Sequence, residues 1–302
     1  MSFGHHLLEA VRYVQTPLGI GLDPHLDRLP RFLRQSYEGL EGEEFCMAAA
    51  QAIVAFNEMV LDAAADRVAA VKPQFAFYEQ LGSAGFAALE ATCEMARERN
   101  LIVIGDAKRG DISSTGAAYA KSILANQGPL KCDAVTLNPW MGLDTLDPFL
   151  KYVRSEGKGL FVLLRTTNPG SALLQHHGLN SEGGAAMTKL ATELNIIGQE
   201  SISESGFSSV GVVVGASAAK EAAALRQLLP SAWFLVPGLG AQGGSAQQAL
   251  AGRNIKGYGS LVVCSRSLLF PAERGGDYDH KAKAVRRFVR SAIAQTARQL
   301  LR

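Results

Sequence analysis

The chain carries almost no net charge: 30 Lys and Arg stand against 28 Asp and Glu over 302 residues, leaving +2. Proteins that hold nucleic acid or an anionic membrane through their overall field need a marked basic excess, so neither partner is expected. Basic residues gather only between His280 and Arg302, where Val285, Phe288, Val289 and Ile293 fall at helical spacing. That segment reads as a closing helix with a solvated basic face; a nucleic-acid arm would interleave aromatics. Cysteine is scarce, and Cys46, Cys93, Cys132 and Cys264 are too far apart for a zinc or CxxC pattern. They read as small core residues of a protein kept in a reducing compartment. The histidine pairs His5-His6 and His176-His177 are adjacent residues that diverge on any regular element, so no metal site is predicted. No apolar run is read as approaching a membrane span, and no signal-type segment opens the chain, so it is expected to be cytoplasmic. Linkers rich in Pro, Ser or Gly are missing, and residues 1–302 are read as one domain. No GxGxxG follows the first strand, which disfavours a dinucleotide fold.

What is present is a hydrophobic content of 47% cut into short apolar runs. Eight can be marked: Pro17–Asp23, Val68–Gln74, Leu101–Lys108, Cys132–Pro139, Gly159–Thr166, Val210–Ser217, Trp233–Gly240 and Leu261–Ser267. Runs this short, apolar on both faces, suit buried parallel strands. Between them lie helical patterns such as CMAAAQAIVAFNEMVLDAAA, GFAALEATCEMARERN and SAAKEAAALRQLLP. Alternating strands and helices imply right-handed crossovers, and eight strands predict a closed (β/α)8 TIM barrel, with an open doubly wound sheet as the alternative.

Nearly every run ends in a polar or turn residue: Asp23, Lys72, Asp106 with Lys108, Asn138, Arg165 with Thr166 and Thr167, Ser217, Gln242 and Arg266. In a barrel these ends converge on one mouth, where the chemistry of the fold sits. Ser217, just before AAKEAAAL, is expected to cap a helix. The densest end is LIVIGDAKRGDI, Leu101–Ile112, where Asp106, Lys108, Arg109 and Asp111 follow a buried run. Alternation places Asp106 and Lys108 on one face and Arg109 on the other. Gly110 is expected to turn the chain and release Asp111 beyond the strand.

Two signals point to phosphate. PGLGAQGGS, Pro237–Ser245, carries four glycines, with Gln242 and Gly243 among them, and enters a helix. Exposed backbone N–H groups in such a turn can wrap an anion. The eighth strand then presents Arg266, whose planar fork suits phosphate oxygens, and loops after strands seven and eight often hold phosphate in barrels. The loop from Thr166 to Gly184 is long and shows no strand, as binding loops often do. With Lys72, Asp106 and Lys108 at the other end of the mouth, alternating charges keep one another ionised. A fixed ammonium there would stabilise and then protonate a carbanion, and a carboxylate beside a substrate carboxylate would favour loss of carbon dioxide.

These residues resemble the orotidine 5′-phosphate decarboxylase family, in its longer bacterial branch. The resemblance runs through GLD at Gly21–Asp23, VKPQFAFYE at Val71–Glu79, GDAKRGDI at Gly105–Ile112 and TLNPWMG at Thr136–Gly142. It continues through RTTNPGS at Arg165–Ser171, PGLGAQGG at Pro237–Gly244 and Ser265-Arg266. It implies a barrel that removes carbon dioxide from orotidine 5′-monophosphate without metal or organic cofactor. It implies that Lys108 stabilises and protonates the C6 carbanion, with Asp106 and Lys72 as its charged neighbours. By the same resemblance Asp23 and Lys72 contact the ribose, and Gln242, with Gly243 beside it, and Arg266 hold the phosphate. Thr167 falls where the family contacts the pyrimidine and many members carry serine; Asn138 is a further substrate-binding candidate. The family is a homodimer with shared sites, in which Asp111 crosses to crowd the partner's substrate carboxylate and Thr115 reaches its ribose. Two alternatives stand beside this reading: a related sugar-phosphate lyase or synthase barrel that uses magnesium, and a non-catalytic nucleotide-binding barrel.

Overall fold

Each of the eight apolar runs forms a strand in the computed structural model, which describes residues 1–175, 184–239, 244–272 and 276–301. The strands are β1 (Leu18–Leu22), β2 (Ala70–Pro73), β3 (Ile102–Arg109), β4 (Ala134–Leu137), β5 (Gly159–Arg165), β6 (Val210–Val214), β7 (Phe234–Pro237) and β8 (Ser260–Cys264). All neighbouring pairs are parallel, and β1 pairs with β8, so the sheet closes in sequence order into the expected (β/α)8 barrel.

Strand alternation divides the apolar side chains into two cores. Ala70, Ile102, Ile104, Ala134, Phe161, Val213, Leu235, Leu261 and Val263 fill the barrel interior, together with Phe3, Leu7, Leu8 and Val11 of the helix Phe3–Val14. That helix plugs the end where the strands begin: Phe3 meets the Phe161 ring edge-on at 5.7 Å, and Trp233 Nε1 donates to the Gly4 carbonyl at 3.1 Å. With that end of the interior filled, the polar residues at the opposite end, where the strands finish, face an open mouth. The alternate residues, among them Ile20, Val71, Val103, Val135, Val162, Val212 and Val262, face outward and pack under the helices.

The C-terminal helix, Ala282–Leu300, buries Val285, Val289 and Ile293 and leaves its basic face outward, as its spacing predicts. Two expectations need correction. One helix, Gly42–Ala64, is long and apolar enough to cross a membrane by length and composition. In the barrel it packs against Gly82–Glu98 and Ala282–Leu300, which is why its Ala-rich face is apolar. Ser217 does not cap the following helix: Ala219–Leu228 starts after Ala218 and has no side-chain cap.

Candidate active site

The interior alternation that buries Ala70, Ile104 and Ala134 brings Lys72, Asp106 and Thr136 inward two residues later, just above the apolar plug. Lys72 and Asp106 are 7% and 6% exposed, and charges this deep need partners. Asp106 has four. Lys72 Nζ is ion-paired with its Oδ2, and Lys108 Nζ lies 2.5 Å from its Oδ1. Gln74 Nε2 donates to Oδ2 and Thr136 Oγ1 to Oδ1, each at 2.9 Å. Burial alone would raise the Asp106 pKa, but the two ammonium groups and their hydrogen bonds hold it well below the usual carboxylate range. Lys72 is the mirror case: burial favours its neutral form, and Asp106, then Asp23, outweigh this and raise its pKa. Both lysines therefore share one carboxylate that is ionised at neutral pH.

Lys108 differs from Lys72 in exposure: 44% of its side chain is open at the mouth. Its backbone takes the left-handed conformation, φ +49°, and the β3–β4 register shifts between Gly105 and Arg109. The expectation for Gly110 changes here. Gly110 is not among the positive-φ residues; Lys108 and Ser113 are. The glycine is needed for space, because a Cβ there would overlap the Asn138 carbonyl. Arg109 takes the opposite face, as alternation predicts, and ion-pairs with Glu79.

Asp23 continues β1 on the interior side, and the ends of β1, β2, β7 and β8 enclose a cleft lined by Asp23, Lys72, Gly238, Ser265 and Arg266. The Oδ1 of Asp23 and the hydroxyl of Ser265 are buried there without a hydrogen-bond partner among the described residues. Arg266 also lines an adjoining groove with Arg28 and Phe270, and the Arg28 guanidinium sits 4.8 Å from the Phe270 ring centroid. Gln242 and Gly243 lie outside the described residues.

The remaining candidates sit on the loops of the same rim and are not drawn into the charged array. Asn138 is exposed, and its Oδ1 accepts from Trp140 N at 3.1 Å, which shapes its own turn. Thr167 packs against Gly215 at the end of β6. Asp111 accepts from Ile112 N at 2.8 Å and makes no ion pair among the described residues. Thr115, in the helix Ser113–Leu124, is exposed. The sequence reading passed over Gln74 and Thr136, although both lie in the motifs it marked. Their signal was position: Gln74 is two residues past Lys72, and Thr136 two past interior Ala134.

The family model described as orotidine 5′-phosphate decarboxylase / HUMPS matches residues 21–274. The chain is 38% identical over 281 residues to the orotidine 5′-phosphate decarboxylase of Rhodopirellula baltica, covering 91% of this chain and 90% of that one. It is 38% identical over 267 residues to that of Clostridium tetani, covering 88% of each. The solved structure of Leishmania donovani OMP decarboxylase superposes with a TM-score of 0.73 at 29% identity, over 100% of this chain and 98% of that one.

Proposed function

The chain belongs to the orotidine 5′-phosphate decarboxylase / HUMPS family, and from that premise we propose how its barrel mouth converts orotidine 5′-monophosphate into uridine 5′-monophosphate and carbon dioxide. The observation that carries the assignment is the Lys72–Asp106–Lys108 array, with Lys72 also lining the cleft that holds Asp23 and Arg266.

The bond between C6 and the carboxylate carbon breaks, carbon dioxide leaves, and the electron pair stays on C6. Lys108 is the half-exposed cation of the array and supplies both the positive charge that stabilises this carbanion and the proton that quenches it. Asp106 keeps Lys72 charged and aims both ammonium groups, so little reorganisation is left for the transition state. Asp23, whose buried Oδ1 has no hydrogen-bond partner among the described residues, and Lys72 take the ribose hydroxyls. Arg266, with Gln242 and Gly243, takes the phosphate, and Thr167 and Asn138 take the pyrimidine.

Asp111 and Thr115 act in the site of a second copy. What supports a homodimer is the surface around them: Ile112, Trp140 and Met141 are 55%, 74% and 53% exposed on the loops after β3 and β4. Large apolar groups beside a carboxylate that makes no ion pair among the described residues suit an interface better than open water. We take residues 1–302 to form one barrel domain and place the enzyme in the cytoplasm; all four cysteines are free thiols, as a reducing compartment would leave them.

The test is purified protein with orotidine 5′-monophosphate and a chelator, followed by the loss of orotate absorbance. Appearance of uridine 5′-monophosphate is expected. Tight binding of that product with no turnover would overturn the reading in favour of a non-catalytic barrel, and activity abolished by the chelator would favour the magnesium-dependent relatives.

A further inference from the structure

The proposed proton donor stands on an unfavourable piece of backbone. A lysine at φ +49° occupies the left-handed region that side chains with a Cβ disfavour. Such a residue persists only where its surroundings over-determine it. The peptide that joins Ala107 to Lys108 is held at both of its polar ends. Its N–H donates to Thr136 Oγ1 at 3.0 Å, from inside the barrel. Its C=O accepts from Arg109 Nη1 at 3.1 Å, from outside. Fixing that plane leaves Lys108 little freedom in φ.

Arg109 reaches that carbonyl because the rest of its guanidinium is anchored. Nη2 is ion-paired with Glu79, at the end of the short helix Ala76–Glu79 that follows β2. Its Cζ lies 5.3 Å from the ring centroid of Tyr119, on the helix Ser113–Leu124 that follows β3. The Arg109 carbonyl in turn accepts from Asn138 N at 2.8 Å, beyond the end of β4. The register shift between Gly105 and Arg109 therefore lies between fixed points on three neighbouring units of the barrel. Side-chain exposures of 26% and 30% keep the Arg109–Glu79 pair partly out of water, unlike a freely solvated surface bridge.

We infer that Arg109 and Glu79 are positioning residues for Lys108: from outside the barrel they hold the irregular turn of β3 in the form that delivers the Lys108 ammonium to the mouth. The inference rests on the role proposed above for Lys108. Neither side chain touches substrate, so the pair affects the placement of the proton donor rather than the grip on phosphate and ribose.

The experiment compares Arg109→Met, Glu79→Gln and the double variant in kcat, in affinity for uridine 5′-monophosphate and in melting temperature. Each single variant is expected to lose about 10- to 100-fold in kcat, the scale on which small misplacements act, while product affinity stays within about twofold. The double variant is expected to be no slower than the slower single one, because the two act as a unit. Arg109→Lys, which keeps the charge opposite Glu79, is expected to recover part of kcat. Unchanged kcat, independent multiplying losses in the double variant, or product affinity falling in step with kcat would each overturn the inference. Wild-type turnover in the same preparations separates the two levels: an inactive wild type sinks the functional reading, and an active one beside fully active variants sinks only this inference.

Discussion

Gly110 and Asn138 press backbone to backbone: the space a Gly110 side chain would need is filled by the Asn138 carbonyl. This contact ties the end of β3 to the loop after β4, beside the hydrogen bond from Asn138 N to the Arg109 carbonyl at 2.8 Å. Replacing Gly110 by alanine should push the two strand ends apart. We predict a loss of kcat of at least about tenfold and a destabilisation of roughly 1–3 kcal/mol, the usual cost of overpacking. Steady-state kinetics and a denaturant melt check both, and an alanine variant with wild-type values in each would contradict the account.

Lys108→Ala should remove nearly all turnover while leaving uridine 5′-monophosphate binding measurable, because the ammonium acts mainly in the transition state. Near wild-type kcat in this variant would refute the assignment. Calorimetric titration of the product supplies the binding half of the measurement.

Subunit mixing tests the shared site. Lys108→Ala and Asp111→Ala chains, each inactive alone, should regain activity together, since one of the two sites in a mixed dimer is intact. Recovery approaching a quarter of wild type is the ceiling for random exchange, as half the dimers are mixed and each has one good site. No recovery despite demonstrated exchange would mean that Asp111 works within its own chain.

The Asp106 carboxyl sets an acid limb of stability. Its folded pKa lies below its unfolded value, so its contribution is fully present above the unfolded pKa of about 4 and is lost as pH falls toward the folded one. Asp106→Asn should flatten that limb in melting curves recorded between neutral pH and strong acid. At neutral pH the same variant should be less stable by roughly 3–5 kcal/mol, because it strands the buried Lys72 ammonium. A variant whose melting temperature falls with acid as steeply as wild type would disprove the linkage.

At the opposite end of the barrel, Arg226 is 6% exposed and donates to the carbonyls of Leu229, Pro230, Ala232, Gly252 and Gly259. Burial pulls its pKa down to about 10. Arg226→Met would leave that group of carbonyls without their donor, and a loss of several kcal/mol, about 3–5, is expected with kcat per folded molecule unchanged. A melting temperature within a degree or two of wild type would rule this out.

How much of this was legible in the chain differs from residue to residue. Lys72, Asp106 and Lys108 stood out because ionised groups at the ends of apolar strands must be paired, and alternation brings them to one face. Glu79 did not, since nothing in VKPQFAFYE says that its carboxylate returns to Arg109, 30 residues on. Gln74 and Thr136 were hidden for a related reason: uncharged residues inside a motif give no local sign of what they donate to. The cap expected at Ser217 failed because the chain begins its helix one residue later, at a site without a side-chain acceptor.

By itself the sequence determined the eight strands, the parallel crossovers between them and the residues at their open ends, because short-range periodicity and burial leave few other ways to hide so many short apolar runs. Only the tertiary structure decided which of those residues touch. The left-handed backbone at Lys108, the four partners of Asp106, the plug of Phe3–Val14 and the outer clamp of Glu79 and Arg109 depend on register, closure and crossing chains. Contacts between residues dozens of positions apart follow from how the barrel closes, which no local pattern records.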